Sequence, residues 1–166
     1  MERNDYRRTI SHVKTGLIKG TTSTYTTTVA SKCSIDGKWA TDLATQTNTA
    51  TPTTDARTSA AFVAQTDNTV SAYVFGVTLA GAIAVVQGPV TPTEVGVTTT
   101  AGAFISNPQF PALPDNFCPI GYLFVRTAPS ASDFTFGTSN WDATGVTSSA
   151  VVEVDGTLPA RPQALP

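Results

Sequence analysis

The densest apolar stretch of the chain is TVSAYVFGVTLAGAIAVVQG, residues 69–88, in which two hydrophobic arms flank Ala80 and Gly81. Glycine beside a small residue between two apolar arms predicts a pair of strands joined by a turn there. Near-continuous hydrophobicity on both arms, in place of alternation, implies burial on both faces. IGYLFVRTA (120–128) predicts another buried strand, and SAVVEVDG (149–156) and SDFTFG (132–137), after a turn at Pro129-Ser130, predict two more. Further upstream, TGLIKGTTSTYTTTV (15–29) has the β-branched composition of a strand interrupted at Gly20. SIDGKWA (34–40) carries a hairpin signal at Asp36-Gly37. Residues 41–60 show no apolar periodicity and predict a long surface loop or an excursion that pairs elsewhere. Four prolines between residues 106 and 119 predict an extended connector, and LPARPQALP (158–166) cannot form a central strand.

Nothing along the chain repeats with the helical period, and Pro or Gly recurs every few residues. The pattern therefore predicts an all-β chain, an antiparallel β-sandwich or jelly-roll-like barrel. Residues 1–20 form an extended basic arm in this reading, 21–157 the β-sandwich domain, and 158–166 a Pro-rich extended tail.

Composition changes this picture in one respect. Charged residues make up 13% of the chain, about half the usual share of roughly 25%. Threonine, with 30 residues, takes much of their place. Such a surface sheds water cheaply, as suits a protein packed against neighbours. The charge is also unevenly placed. Arg3, Arg7, Arg8, Lys14 and Lys19 stand against Glu2 and Asp5 in the first nineteen residues, a net of +3. The rest of the chain is net −5. These five cations are the candidate partner-binding residues, suited to an acidic surface. A whole-chain charge of −2 argues against general nucleic-acid binding. The start has no apolar leader core, and no run of about 18 apolar residues follows. A cytoplasmic product without a membrane span is the expectation.

Candidate chemistry is thin. His12 is the single histidine, too few for a zinc site and poorly placed for a nucleophile–base constellation. Cys33 and Cys118 are expected as buried small hydrophobes, with one bridge between them left open. Asp133 with Asp142, or Glu153 with Asp155, could be read as a carboxylate pair for glycoside hydrolysis, but no cleft signature accompanies either. No phosphate-binding glycine loop occurs, and no cofactor or metal is assigned. The remaining candidates are the aromatics of FTFGTSNWD (134–142), with Trp39, Tyr73 and Tyr122. They form either a sugar-stacking platform or an anchor into the core. Phe134 and Phe136 are two apart and point one way on a strand. That spacing favours the anchor, with Trp141, Phe134, Phe136, Tyr122 and Phe124 in one buried cluster.

Five segments in order, ATPTTDARTSAAFVA (50–64), SAYVFGVTLAGAIAVVQG (71–88), FPALPDNFCPIGYLFVRTA (110–128), FTFGTSNWDATGVT (134–147) and LPARPQ (158–163), resemble small structural proteins of tailed bacteriophages. In that group a PxGYlvv strand precedes an FtfGTtnwdatgvt segment and a Pro-rich ending. The resemblance spans about two thirds of the chain and rests on turn and core residues, with no catalytic residue to carry over. It implies a non-enzymatic virion protein assembled in the host bacterial cytoplasm. The expected form is a capsid decoration or cement protein bound to the major capsid protein and to copies of itself. The two apolar strands at 71–88 suggest a homotrimer. The rival expectations are a tail or fibre component and a glycan-binding β-module. The basic start is more pronounced than the group suggests.

Overall fold

The computed structural model describes residues 9–131 and 133–160. Those residues hold no α-helix and twelve strands in three antiparallel sheets. The central sheet has the order β11 (Val146–Ser148), β10 (Cys118–Thr127), β7 (Thr69–Val77), β8 (Ile83–Gln87), with β9 (Thr91–Pro92) on β7 and β12 (Val152–Glu153) on β10. A second sheet joins β1 (Ile10–Ser11), β4 (Cys33–Ile35) and β5 (Lys38–Trp39). The third joins β2 (Ile18–Lys19), β3 (Thr24–Thr27) and β6 (Gln46–Ala50). The all-β reading is thus met. The central sheet does not close on itself, so the barrel alternative is not formed. Its β8 edge is capped instead: Val85 O accepts from Ala56 N at 2.9 Å, and Gln87 N donates to Asp55 Oδ2 at 2.7 Å.

The unbroken hydrophobicity of β7 has a simple cause. Its odd positions, Tyr73, Phe75 and Val77, enter one buried cluster. The even positions, Val70, Ala72 and Val74, enter another. Successive side chains of a strand point to opposite faces, so the central sheet has a core on each side. Leu17, Tyr25, Cys33 and Ile35, from the two smaller sheets and the segment leading into them, cover the first face. Phe104, Phe110, Leu113, Phe117, Val154 and Leu158 cover the second. The proline-rich connector is therefore a lid over one core, and the chain alone encloses β7. The hydrophobicity of 71–88, taken above as a reason for a trimer, needs no partner copy.

Strand β10 switches phase midway. Cys118 and Ile120 face the first cluster, and so do Leu123 and Val125. A register shift between Pro119 and Gly121 inserts the extra residue that makes this possible. The same shift sends Tyr122 and Phe124 to the second cluster.

Two boundaries move. The arm expected over 1–20 is built into the body from residue 9 on. Ile10 pairs with Ser34 and Ser11 with Cys33, Leu17 is 1% exposed, and Leu17 N donates to Glu153 Oε1 at 3.1 Å. Backbone pairing and one long-range carboxylate hold this stretch where its own few apolar residues would not. Arg3, Arg7 and Arg8 lie outside the described residues, as do positions 161–166 of the tail. The polar stretch 41–60 holds β6, with Thr24 opposite Ala50 and Tyr25 opposite Thr49, so it is partly an excursion that pairs.

Candidate functional site

FTFGTSNWD begins as a backbone bridge and continues as a tight turn. Gln65 N donates to Phe134 O at 2.8 Å and Phe134 N to Gln65 O at 2.9 Å. This single bridge replaces the strand expected over 132–137. Ser139 closes the turn twice: its N donates to Thr135 O at 2.8 Å, and its Oγ accepts from Thr135 N at 3.0 Å. Gly137 has φ 81°, the left-handed region that glycine adopts without strain. A Cβ there would lie 2.3 Å from Pro52 O, so the position also needs glycine for closeness.

The turn aims its aromatics inward. Phe136 stacks on Tyr73 with centroids 4.6 Å apart and meets Phe62 at 4.7 Å and Trp141 at 5.3 Å. Phe134 lies 5.9 Å from Trp141. Trp141 is 4% exposed, and its Nε1 donates to Thr24 O at 3.1 Å, tying the turn to β3. The motif is an anchor. A two-tryptophan sugar platform is not present, since Trp39 is 68% exposed and Trp141 is enclosed. The expectation of one five-residue cluster is corrected by the β10 bulge. Tyr122 and Phe124 pack on the opposite face, where Phe110 meets Tyr122 at 4.8 Å and Phe104 meets Phe124 at 6.3 Å.

Beneath the anchor lies a buried polar relay missed in the sequence. Tyr73 OH donates to Gln65 Oε1 at 2.8 Å and accepts from Gln87 Nε2 at 3.1 Å, while Gln65 Nε2 donates to Val125 O at 3.0 Å. Burial pushes the Tyr73 hydroxyl well above its ordinary range. Every hydrogen bond of this relay is internal, which suits stability and leaves no group aimed at a ligand.

The titratable candidates are dispersed. His12 lies 4.8 Å from the Trp39 ring, and its Nε2 is 3.0 Å from Ser34 Oγ. Asp133 and Asp142 are exposed and line neither of the two clefts described next. Glu153 is occupied by the Leu17 amide. One cleft, about 540 Å³, runs between Asp36, Leu113, Asp115 and Leu158. The other, about 220 Å³, includes Asp55, whose carboxylate is satisfied by the amides of Arg57, Thr58 and Gln87. Among the described residues, no three His, Cys, Asp or Glu side chains group as a metal site. Of the candidate cations, Lys14 is exposed. Lys19 is half-buried and donates to Ser148 O at 3.1 Å and to Ser148 Oγ. Burial lowers its pKa. Lys19 links β2 to β11 and is not a free contact for a partner.

The outward-facing apolar side chains are a different set. Glu94 N donates to Ala103 O at 2.9 Å, and Val97 and Thr100 exchange hydrogen bonds, so residues 93–104 form a hairpin. It presents Val95 at 80% and Val97 at 75% exposure. Glu94 is the hairpin's only charge. Ser130 N and Oγ both donate to Thr98 O, fastening the tip to the body. The alternating EVGV followed by three threonines is the sequence signal for this hairpin.

No protein-family model, curated protein or solved structure matches the chain.

Proposed function

We propose that this protein is a non-enzymatic virion component of a tailed bacteriophage, a decoration protein that binds the outer face of the capsid and reinforces it. The observation that carries the reading is the division of its aromatics and aliphatics. The aromatics Phe134, Phe136 and Trp141 of the resemblance motif are internal anchors, while Val95 and Val97 stand out on a fastened hairpin with one charge. Apolar side chains on a rigid, weakly charged support can dock without desolvating ions. Contacts to the major capsid protein and to neighbouring copies would run through such exposed groups, since β7 and β8 are enclosed. Arg3, Arg7, Arg8 and the exposed Lys14 would add attraction to an acidic shell.

The test is titration of the purified chain onto empty, expanded shells by co-sedimentation. The reading expects saturable binding that Val95→Ser with Val97→Ser weakens at least tenfold while the melting temperature holds. Absence of binding to shells, or equal binding by the double variant, counts against it.

A further inference from the structure

The larger cleft, of about 540 Å³, gathers three parts of the chain that are distant in sequence. Asp36 comes from the turn between β4 and β5, Leu113 and Asp115 from the proline-rich connector, and Leu158 from the stretch after β12. The lining is mostly apolar, with Leu113, Pro114, Phe117, Pro119 and Leu158. Its charged lining residues among those described are Asp36 and Asp115, both exposed. Thr9, the first described residue, lines the same cleft. Asp36 N donates to Thr9 Oγ1 at 3.2 Å. Consecutive Cα atoms are about 3.8 Å apart, so covalent continuity starts the upstream chain at the cleft's edge.

The strand register points the same way. In the β1–β4 pair Ile10 stands opposite Ser34 and Ser11 opposite Cys33. Carried back two residues, that register sets position 8 opposite Asp36, a separation of about 5 Å between cross-strand Cβ atoms. Positions 7 and 8 are both arginine. An arginine suits such a cleft twice over: its stem covers apolar surface, and its planar head pairs with a carboxylate.

We propose that this cleft is the seat of the chain's own N-terminal segment, with Arg8 paired to Asp36 and Arg7 to Asp115 in the same molecule. The seated segment straps the β4–β5 turn, the connector over the second core and the stretch after β12 to one another. Exposed ion pairs are weak one at a time. Here the covalent tether supplies both arginines at high effective concentration, so the pairs form without a second molecule. The seat belongs to the isolated chain and needs no shell. In the free protein the two arginines are parked on their own body, and an acidic surface elsewhere must outcompete two tethered carboxylates to win them.

The full chain and its variant with Asp36→Asn and Asp115→Asn are digested with dilute trypsin, and intact masses report cutting after Arg7 and Arg8. Asparagine tolerates the left-handed φ of 49° at position 36, and far-UV circular dichroism checks that the fold is kept. The variant should be cut about three- to tenfold faster, as two exposed pairs warrant. The gap between the chains should close in about 1 M sodium chloride, where screening acts within about 3 Å. It should hold over about a hundredfold dilution. A second reading needs neither aspartate variant. With Arg7→Lys and Arg8→Lys, a carbodiimide should join position 7 or 8 to Asp36 or Asp115 by an amide inside one monomer. Equal cutting of the two chains, a gap indifferent to salt, protection lost on dilution (as exchange of segments between copies would give), or no such amide would each overturn the proposal.

Discussion

Replacing Trp141 by alanine removes the ring that ties the FTFGTSNWD turn to β3. The ring is nearly enclosed and touches Phe134 and Phe136 at 5.9 and 5.3 Å between centroids. Large-to-small changes at such sites cost about 3–5 kcal/mol, because lost transfer energy adds to a cavity that relaxes only in part. The lost Nε1 hydrogen bond adds little. Its acceptor, Thr24 O, also receives Gly20 N at 2.8 Å and stays satisfied. For a chain of this size, about 2–4 °C of melting temperature goes with each kcal/mol. Trp141→Ala should therefore melt about 6–20 °C below the parent by far-UV circular dichroism. Trp39→Ala is the control: that ring is exposed, and its loss should fall within about 0.5 kcal/mol. If Trp141→Ala melts with the parent, or Trp39→Ala proves the more damaging, the anchor assignment is wrong.

Gly137→Ala should cost at least about 2 kcal/mol in urea unfolding, since it combines a left-handed φ with a contact against Pro52 O. Tyr73→Phe should cost about 1–3 kcal/mol by leaving Gln65 Oε1 without its donor. Burial raises the pKa of both Tyr25 and Tyr73, so the folded chain keeps these hydroxyls protonated where the unfolded chain ionises. Their contribution is whole below about pH 10 and declines above it, and phenolate absorbance should rise together with unfolding. Removing residues 1–8 should make binding to shells weaker and less salt-sensitive. Replacing Arg3, Arg7 and Arg8 with Ser should do part of the same. A cut extending to residue 14 would also remove the Ile10–Ser34 pairing and so destabilise the body itself.

Local signals in the sequence carried much of this fold. The turn at Asp36-Gly37, with φ of 49° and 75°, follows from two residues that tolerate the left-handed region. Likewise the hairpin of β7 and β8 follows from Gly81 between two apolar arms, and the inward aim of Phe134 and Phe136 from their spacing. What escaped was non-local. The β6 residues Gln-Thr-Asn-Thr-Ala have no apolar alternation, because this edge strand is held by backbone pairing and by the Thr26 and Thr27 hydroxyls, which accept from Asn48 N and Gln46 N. The split of the aromatics between two cores depends on one inserted residue in β10, which no periodicity announces before the pairing is known. Residues 9–20 join the body through partners at Ser34 and Glu153. Composition could not supply those contacts, and the positive charge of the segment suggested solvent instead. The outward hairpin at 93–104 is made of isolated bridges at Thr93–Phe104 and Val97–Thr100 and not of a run of apolar alternation.

Where the protein sits on the particle is the decisive measurement. An electron cryomicroscopy reconstruction of the purified particle should show β-rich density of this fold at regular positions on the outer capsid lattice. In that density the 93–104 hairpin and the N-terminus should face the shell. A few copies at the tail, or a capsid surface bare of this fold in particles that contain the chain, would contradict it.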